Sequence, residues 1–304
     1  MNAVPEDLVQ TILSVHGIEG RRWLVRFPEL VAQCQLRWSL ALMPPLPNLT
    51  YNYVAPAIGA DGRELVLKLG VPNRELLTEI AALRLFDGCG CVQLVAADPE
   101  RGALLLERLR PGTPLATVED DEAATSLAVG VMRQLWRPAP PEHPFRSVAD
   151  WAAGLGRLRA RFNGTSGPLP ERLVERAGSL FEGLVASQDE PVLLHGDLHH
   201  GNILAAERQP WLAIDPKGVI GEPAYEAGSL LRNPFPQLLT GPDPSGRLAR
   251  RVRQMAAELG FAVERLVGWG LAQAVLAAWW CIEDRCPGWE YFVACAELLA
   301  ALEH

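Results

Sequence analysis

The sequence predicts a bilobal α+β protein, a small antiparallel sheet carrying one helix followed by a larger and mostly helical region. Three observations lead there. Between Tyr51 and Glu107 apolar residues alternate or run in short blocks, in the order strand, strand, helix, strand, strand. From about Glu119 onward the apolar period is helical almost throughout. One stretch, Val192 to Gly218, interrupts those helices with short strands whose ends are rich in His, Asp and Asn. A length of 304 residues suits two domains at roughly 150 residues each, placed at 1–109 and 110–304.

Taken in order, Pro5 to Leu42 has helical spacing, with Leu8, Ile12 and Val15 on one face and a second segment from Arg21 punctuated by Pro28. Strands are expected at Tyr51 to Ile58 and Glu64 to Leu69, joined by the turn dipeptide Asp61-Gly62. Asn73 is a suitable N-cap for a helix that runs to Phe86 and is closed by Gly88 and Gly90. Val92 to Ala96 and Ala103 to Glu107 form a second hairpin, and Leu109 to Pro114 reads as a linker. Helices follow at about Glu119 to Trp136, Val148 to Phe162, Pro170 to Ser187, Arg247 to Leu259, Val263 to Asp284 and Trp289 to Leu302. Pro138 to Pro144 and Thr240 to Ser245 read as loops. Within the interrupting stretch, Val192 to Leu194 is a buried strand, while Ile203-Leu204 and Trp211 to Ile214 flank a turn and end in Asp215.

A net charge of −8 argues against a general nucleic-acid binder and is compatible with a cationic small molecule. Six scattered cysteines, and Glu6 and Asp7 where a secretory leader would be apolar, lead us to expect reduced thiols in the cytoplasm, and we expect a monomer. The uncharged run Leu266 to Ile282 approaches membrane-spanning length, yet it contains Gln273 and two glycines. We expect it to be a buried central helix and expect no membrane partner.

Lysine is avoided: of 28 basic residues only Lys68 and Lys217 are lysine. Lys68 stands among apolar residues in Leu65-Val66-Leu67-Lys68-Leu69, where a charge is costly unless an anion meets it. The next helix offers Glu75 and Glu79, four residues apart on one face, and Glu79 is the expected partner of Lys68. Downstream, Asp197, Asn202 and Asp215 supply what phosphoryl transfer from a magnesium nucleotide needs: oxygen ligands for a hard ion, Asn202 and Asp215, and a carboxylate, Asp197, to orient and deprotonate an acceptor hydroxyl.

His195-Gly196-Asp197-Leu198-His199-His200-Gly201-Asn202 resembles the HGDxHxGN loop of the aminoglycoside phosphotransferase family, relatives of protein kinases. Asp215-Pro216-Lys217-Gly218, continuing through Gly221-Glu222-Pro223 to Glu226 and Leu231-Arg232-Asn233-Pro234, is similar to the branch of streptomycin 6-phosphotransferases and aminoglycoside/hydroxyurea resistance kinases. The same branch is resembled by Asp61-Gly62 ahead of Val66-Leu67-Lys68, by the helix from Glu79 to Gly88, by the leading helices around Trp23, and by Ala277 to Trp280 followed by Glu283-Asp284. The resemblance implies a protein-kinase-like fold using ATP and Mg2+, with Lys68 on the nucleotide phosphates, Glu79 holding Lys68, Asp197 as base, and Asn202 and Asp215 on the metal. It also implies a hinge at Leu106 to Leu109, where the backbone of Glu107 and Leu109 receives the adenine, and histidines 195 and 199 that brace the loop. Two departures stand out. Pro47 to Tyr53 replaces a glycine-rich phosphate loop, and Glu226 stands where the branch has an aspartate.

The expected reaction is phosphorylation of a small molecule of the streptomycin type. Glu222, Glu226, Glu283 and Asp284 are the acidic residues that could meet a cationic substrate through charge-assisted hydrogen bonds. The main alternative is a kinase of the same fold acting on choline, a sugar or an amino alcohol. A non-catalytic nucleotide-binding protein is a lesser alternative, as is a metallohydrolase built on His195, Asp197, His199 and His200.

Overall fold

The computed structural model describes residues 4–47 and 49–303; Asn48 of the stretch expected to cover the phosphates lies outside them. The chain divides into two compact units, 1–112 and 113–304.

The first unit opens with helix α1 (Glu6–Trp38), which kinks where Gly17 adopts φ 52° and ψ −121°. The buried face of α1, including Leu8, Ile12, Trp23, Phe27 and Leu30, packs with Tyr53, Leu67 and Leu69 of the sheet. The helix was expected to reach Leu42 but stops earlier. Ser39 takes a left-handed conformation, its N–H bonding back to Gln35 and Leu36, and the chain leaves as strand β1 (Leu40–Leu42). Strands β2 (Tyr53–Gly59) and β3 (Glu64–Leu69) form the expected hairpin, with Gly62 at φ 80° in its turn. Helix α2 (Arg74–Phe86) is capped by Asn73, whose side chain accepts from the Leu76 N–H at 2.9 Å. Strands β4 (Leu94–Asp98) and β5 (Ala103–Glu107) complete an antiparallel sheet of order β1-β2-β3-β5-β4. A four-residue strand, β6 (Pro111–Pro114), lies where a linker was expected.

In the second unit, helix α3 (Asp121–Leu135) precedes a two-residue strand β7 (Arg146–Ser147), and helices α4 (Val148–Ala152), α5 (Gly154–Arg161) and α6 (Glu171–Ala186) follow it. The helix expected from Val148 to Phe162 is thus divided at Ala153. Gly154, at the start of α5, comes so close to the core that a Cβ there would lie 2.8 Å from Leu276 Cδ1. Strand β8 (Val192–Leu194) precedes the polar loop, and β9 (Ile203–Ala206) pairs with β10 (Trp211–Ala213) as the expected hairpin. Strand β11 (Val219–Gly221) pairs antiparallel with β8 and parallel with β7. Short helices α7 (Ala227–Leu231) and α8 (Gln237–Thr240) lead to α9 (Pro244–Leu259), α10 (Val263–Glu283) and α11 (Trp289–Ala300).

Helix α10 is long and apolar enough to cross a membrane, but here it is the centre of the core. Leu266 through Trp279 are buried, and α5, α6, α7 and α11 pack around it. The indole of Trp269 meets the rings of Tyr225 and Phe181 edge-on at 5.0 and 5.7 Å between centroids.

Candidate active site

In the first unit, β3 and α2 bring Lys68 and Glu79 together. Lys68 lies between Val54 and Leu104 on the flanking strands, and its Nζ donates to Glu79 Oε1 at 2.7 Å. Both side chains are almost wholly buried, at 4% and 10% exposure. The carboxylate offsets part of the cost of burying the ammonium. Glu75, on the same helix, is exposed. At the end of β5 the Glu107 N–H donates to Gln93 O and the Arg108 N–H to Glu64 O, so sheet neighbours take both amides. The Glu107 amide is thus taken up within the sheet.

In the second unit the loop after β8 is fixed from beneath. Glu226 is 1% exposed, and its two oxygens accept the backbone N–H groups of His195 (2.7 Å) and Gly196 (2.9 Å). Burial pushes this carboxyl up to about 7, against the two backbone donors, which favour the ionised form. Gly196, at φ 85°, has no room for a side chain: a Cβ would stand 2.9 Å from Trp151 and 3.0 Å from Val219. The fully buried His195 ring spans the loop, Nε2 meeting Ile214 O at 2.8 Å and Nδ1 accepting from the Asp197 N–H at 3.2 Å. Burial lowers His195 to about 4, opposed by the Ile214 hydrogen bond. It is a neutral brace, with Nε2 as its N–H.

Asn202 Nδ2 donates to the Asp197 carbonyl at 3.0 Å, which turns the amide oxygen of Asn202 away from that carbonyl. The Ile214 N–H donates to Asn202 O at 2.9 Å, so Asn202 and the next residue, Asp215, are neighbours across the hairpin base. Asp215 itself takes a left-handed φ of 59°. An amide oxygen and a carboxylate are the hard, partial donor set that suits Mg2+, which keeps waters and phosphate oxygens as its other ligands.

The Asp197 side chain is about one-third exposed, with Oδ1 at 3.4 Å from Arg232 Nη2 and Oδ2 at 3.8 Å from His199 Nε2. Burial would raise this carboxyl, but His199, Arg232, Lys217 and His195 together hold it below the ordinary range. Burial also lowers both histidines.

The acidic residues expected to meet a cationic substrate are placed differently. Glu222 is buried and accepts from Arg265 Nε at 2.7 Å and from the Trp269 indole. Glu226 is committed to the loop backbone. Both therefore serve the fold, a correction that follows from partners too distant in sequence for spacing to reveal. Glu283, at the end of α10, accepts from Arg157 Nε at 2.7 Å and Nη2 at 2.9 Å, while Asp284 is exposed just beyond it. Arg232, beside Asp197, carries no role that the sequence reveals; a polar residue directly after the apolar Leu230-Leu231 pair is the available signal.

An α+β chain with this loop and this buried lysine–glutamate pair has the makings of a kinase-like phosphotransferase. The chain belongs to the aminoglycoside/hydroxyurea antibiotic resistance kinase family, which it matches over residues 45–285. It is 34% identical to the streptomycin 6-kinase of Streptomyces glaucescens over 92% of this chain and 91% of that one. It is 36% identical to the hydroxyurea phosphotransferase of Kitasatospora aureofaciens over 92% of this chain and 81% of that one. Its fold matches a thermostable mutant of aminoglycoside phosphotransferase APH(4)-Ia, solved with ADP and hygromycin B, at a TM-score of 0.63 and 12% identity over 89% of this chain and 96% of that one. The resemblance and fold class expected from the sequence are borne out. Membership of this family also replaces the metallohydrolase and non-catalytic readings: the protein is a phosphotransferase.

Proposed function

We propose that the protein transfers the γ-phosphoryl group of ATP to a hydroxyl of an aminoglycoside of the streptomycin type. The observation that carries this reading is the loop in which Asp197 presents a carboxylate while Asn202 and Asp215 stand together on the hairpin beside it. Asp197 orients the acceptor hydroxyl and takes its proton, Asn202 and Asp215 hold the metal, and Lys68, kept in place by Glu79, takes the nucleotide phosphates. With Mg2+ held there, Asn202 and Asp215 would place a charge that neutralises the phosphate oxygens. His195 carries no proton in the reaction, since its two ring nitrogens are committed to Ile214 and Asp197. The similarity to a streptomycin 6-kinase and the neighbour solved with ADP support the choice of acceptor and donor. An ATP-dependent reaction belongs in the cytoplasm.

A second reading, another small hydroxyl compound as acceptor, gains from two facts. Glu222 is withdrawn from any cation by Arg265, and the 36% identical relative is named for hydroxyurea. A coupled ADP-release assay on the purified protein separates the two, with streptomycin, other aminoglycosides, hydroxyurea and choline as acceptors. Streptomycin should stimulate ADP release, and EDTA should abolish it. Stimulation by hydroxyurea or choline alone would replace the acceptor, and activity unchanged by EDTA would remove the metal role of Asn202 and Asp215.

A further inference from the structure

Arg232 ends helix α7 with its side chain about nine-tenths buried and its guanidinium held by two neutral partners. Nη1 donates to Gln273 Oε1 and Nη2 to Ser229 Oγ, both at 2.9 Å. Those partners are themselves fixed. Gln273 is 3% exposed on α10 and donates to the Tyr225 carbonyl, while Ser229 is 1% exposed on α7. The Arg232 carbonyl accepts from the Tyr291 hydroxyl at 3.1 Å, which ties the same residue to α11.

Among the described residues, Asp197 is the carboxylate that pairs with this guanidinium, and it does so through Oδ1 alone. Arg251 shows what a structural arginine does in this core: Nε meets both oxygens of Asp121 at 3.0 and 3.1 Å, and Nη1 bonds the Leu230 carbonyl at 3.0 Å. That arrangement saturates its carboxylate. Arg232 leaves one oxygen of Asp197 unclaimed by its own fork. A buried cation costs more than a neutral side chain of the same shape unless its charge is used, and the group that uses it is the candidate base.

We propose that Arg232 is a positioning residue for phosphoryl transfer: anchored by Ser229 and Gln273, it holds Oδ1 of Asp197 so that Oδ2 faces the acceptor hydroxyl. The inference rests on the reading of Asp197 as the base. It assigns the base function to one oxygen and accounts for a polar glutamine in the middle of the apolar helix α10.

The test compares Arg232→Gln, Arg232→Lys and Asp197→Asn in the full-length protein, following streptomycin-dependent ADP release. If streptomycin does not stimulate the unmodified protein, the same variants are read on ADP release with water as acceptor. The Gln variant should lose about 100-fold in kcat with KM for ATP within about twofold, the signature of a misplaced base. The Lys variant, which keeps the charge, should recover about a tenth of the original kcat. An unchanged kcat in the Gln variant overturns the proposal, as does a loss equal in both variants and accompanied by a parallel rise in KM for ATP, which would mark a damaged core. If Asp197→Asn retains full turnover, the base reading itself falls; if it is inactive while Arg232→Gln is fully active, only the positioning role falls. Should the Gln variant not fold, Ser229→Ala removes one anchor and should lower kcat about tenfold at constant KM for ATP, and an unchanged kcat there overturns the proposal.

Discussion

Lys68 and Asp197 are the two charged side chains on which the proposed chemistry depends, and each is held by different physics. Lys68 is part of β3: the sheet register fixes its backbone, and the second turn of α2 brings Glu79 to it at 2.7 Å. Asp197 sits in no regular element. Its loop is held by two backbone bonds to Glu226, by the His195 ring and by the Asn202 amide. Regular structure thus places the group proposed to meet a nucleotide, and a braced loop places the group proposed to meet an acceptor. In the first case the energy lies in a buried ion pair, and in the second in hydrogen bonds to the main chain.

The contrast is broken most severely by Asp197→Ala. Turnover should fall about 1,000-fold, within the range for losing a general base, while ATP binding measured by calorimetry remains, because Glu226, His195 and the Asn202 amide brace the loop through its main chain even when Arg232 loses its carboxylate partner. Loss of ATP binding would show that the loop needs Asp197 for its shape. Glu79→Ala should act through stability instead. It removes the carboxylate 2.7 Å from the buried Lys68 ammonium, and breaking such a pair costs about 3–5 kcal/mol, read from urea denaturation of the apoprotein. A change near zero would mean that the pair contributes little beyond geometry.

Glu226 gives the finest test of how the loop is braced. Its carboxyl is raised by burial from 4.5 to about 7, so between those values the folded chain holds a proton that the unfolded chain has released. More protons bound in the folded state means that the Glu226 contribution to stability declines as pH rises through this window and is level above it. Glu226→Gln, which cannot ionise, should remove this part of the pH dependence, so melting temperatures measured from pH 4.5 to pH 7 should fall less steeply in the variant. An equal slope in both proteins would show that Glu226 remains ionised throughout.

The first unit was the more legible in the sequence because its signals are local. The Asn73 cap, the Asp61-Gly62 turn and the end of α2 at Phe86 were each marked by a residue whose chemistry suits one position. The misses have equally definite causes. A serine is not a usual left-handed residue, so the break at Ser39 was hidden. Strands β7 and β11, of two and three residues, are too short to show a period. The contiguous motif around Asp197 named its own chemistry, whereas Glu222 was misread because Arg265, its partner, lies 43 positions away. Gln273 was noticed only as an interruption of an apolar run, and its contact with Arg232 spans 41 positions. Polar contacts of that range leave no periodic trace, and they are what braces the loop.

The position of α10 along the chain has a consequence for synthesis. Helices α5, α6 and α7 are translated before residues 263–283, the segment against which they bury their apolar faces. The sheet of the first unit contains its whole pairing partners within the first 107 residues. On the ribosome the first unit can therefore fold early, while the second must wait with exposed apolar helices until α10 emerges, and chaperone dependence should concentrate in that interval.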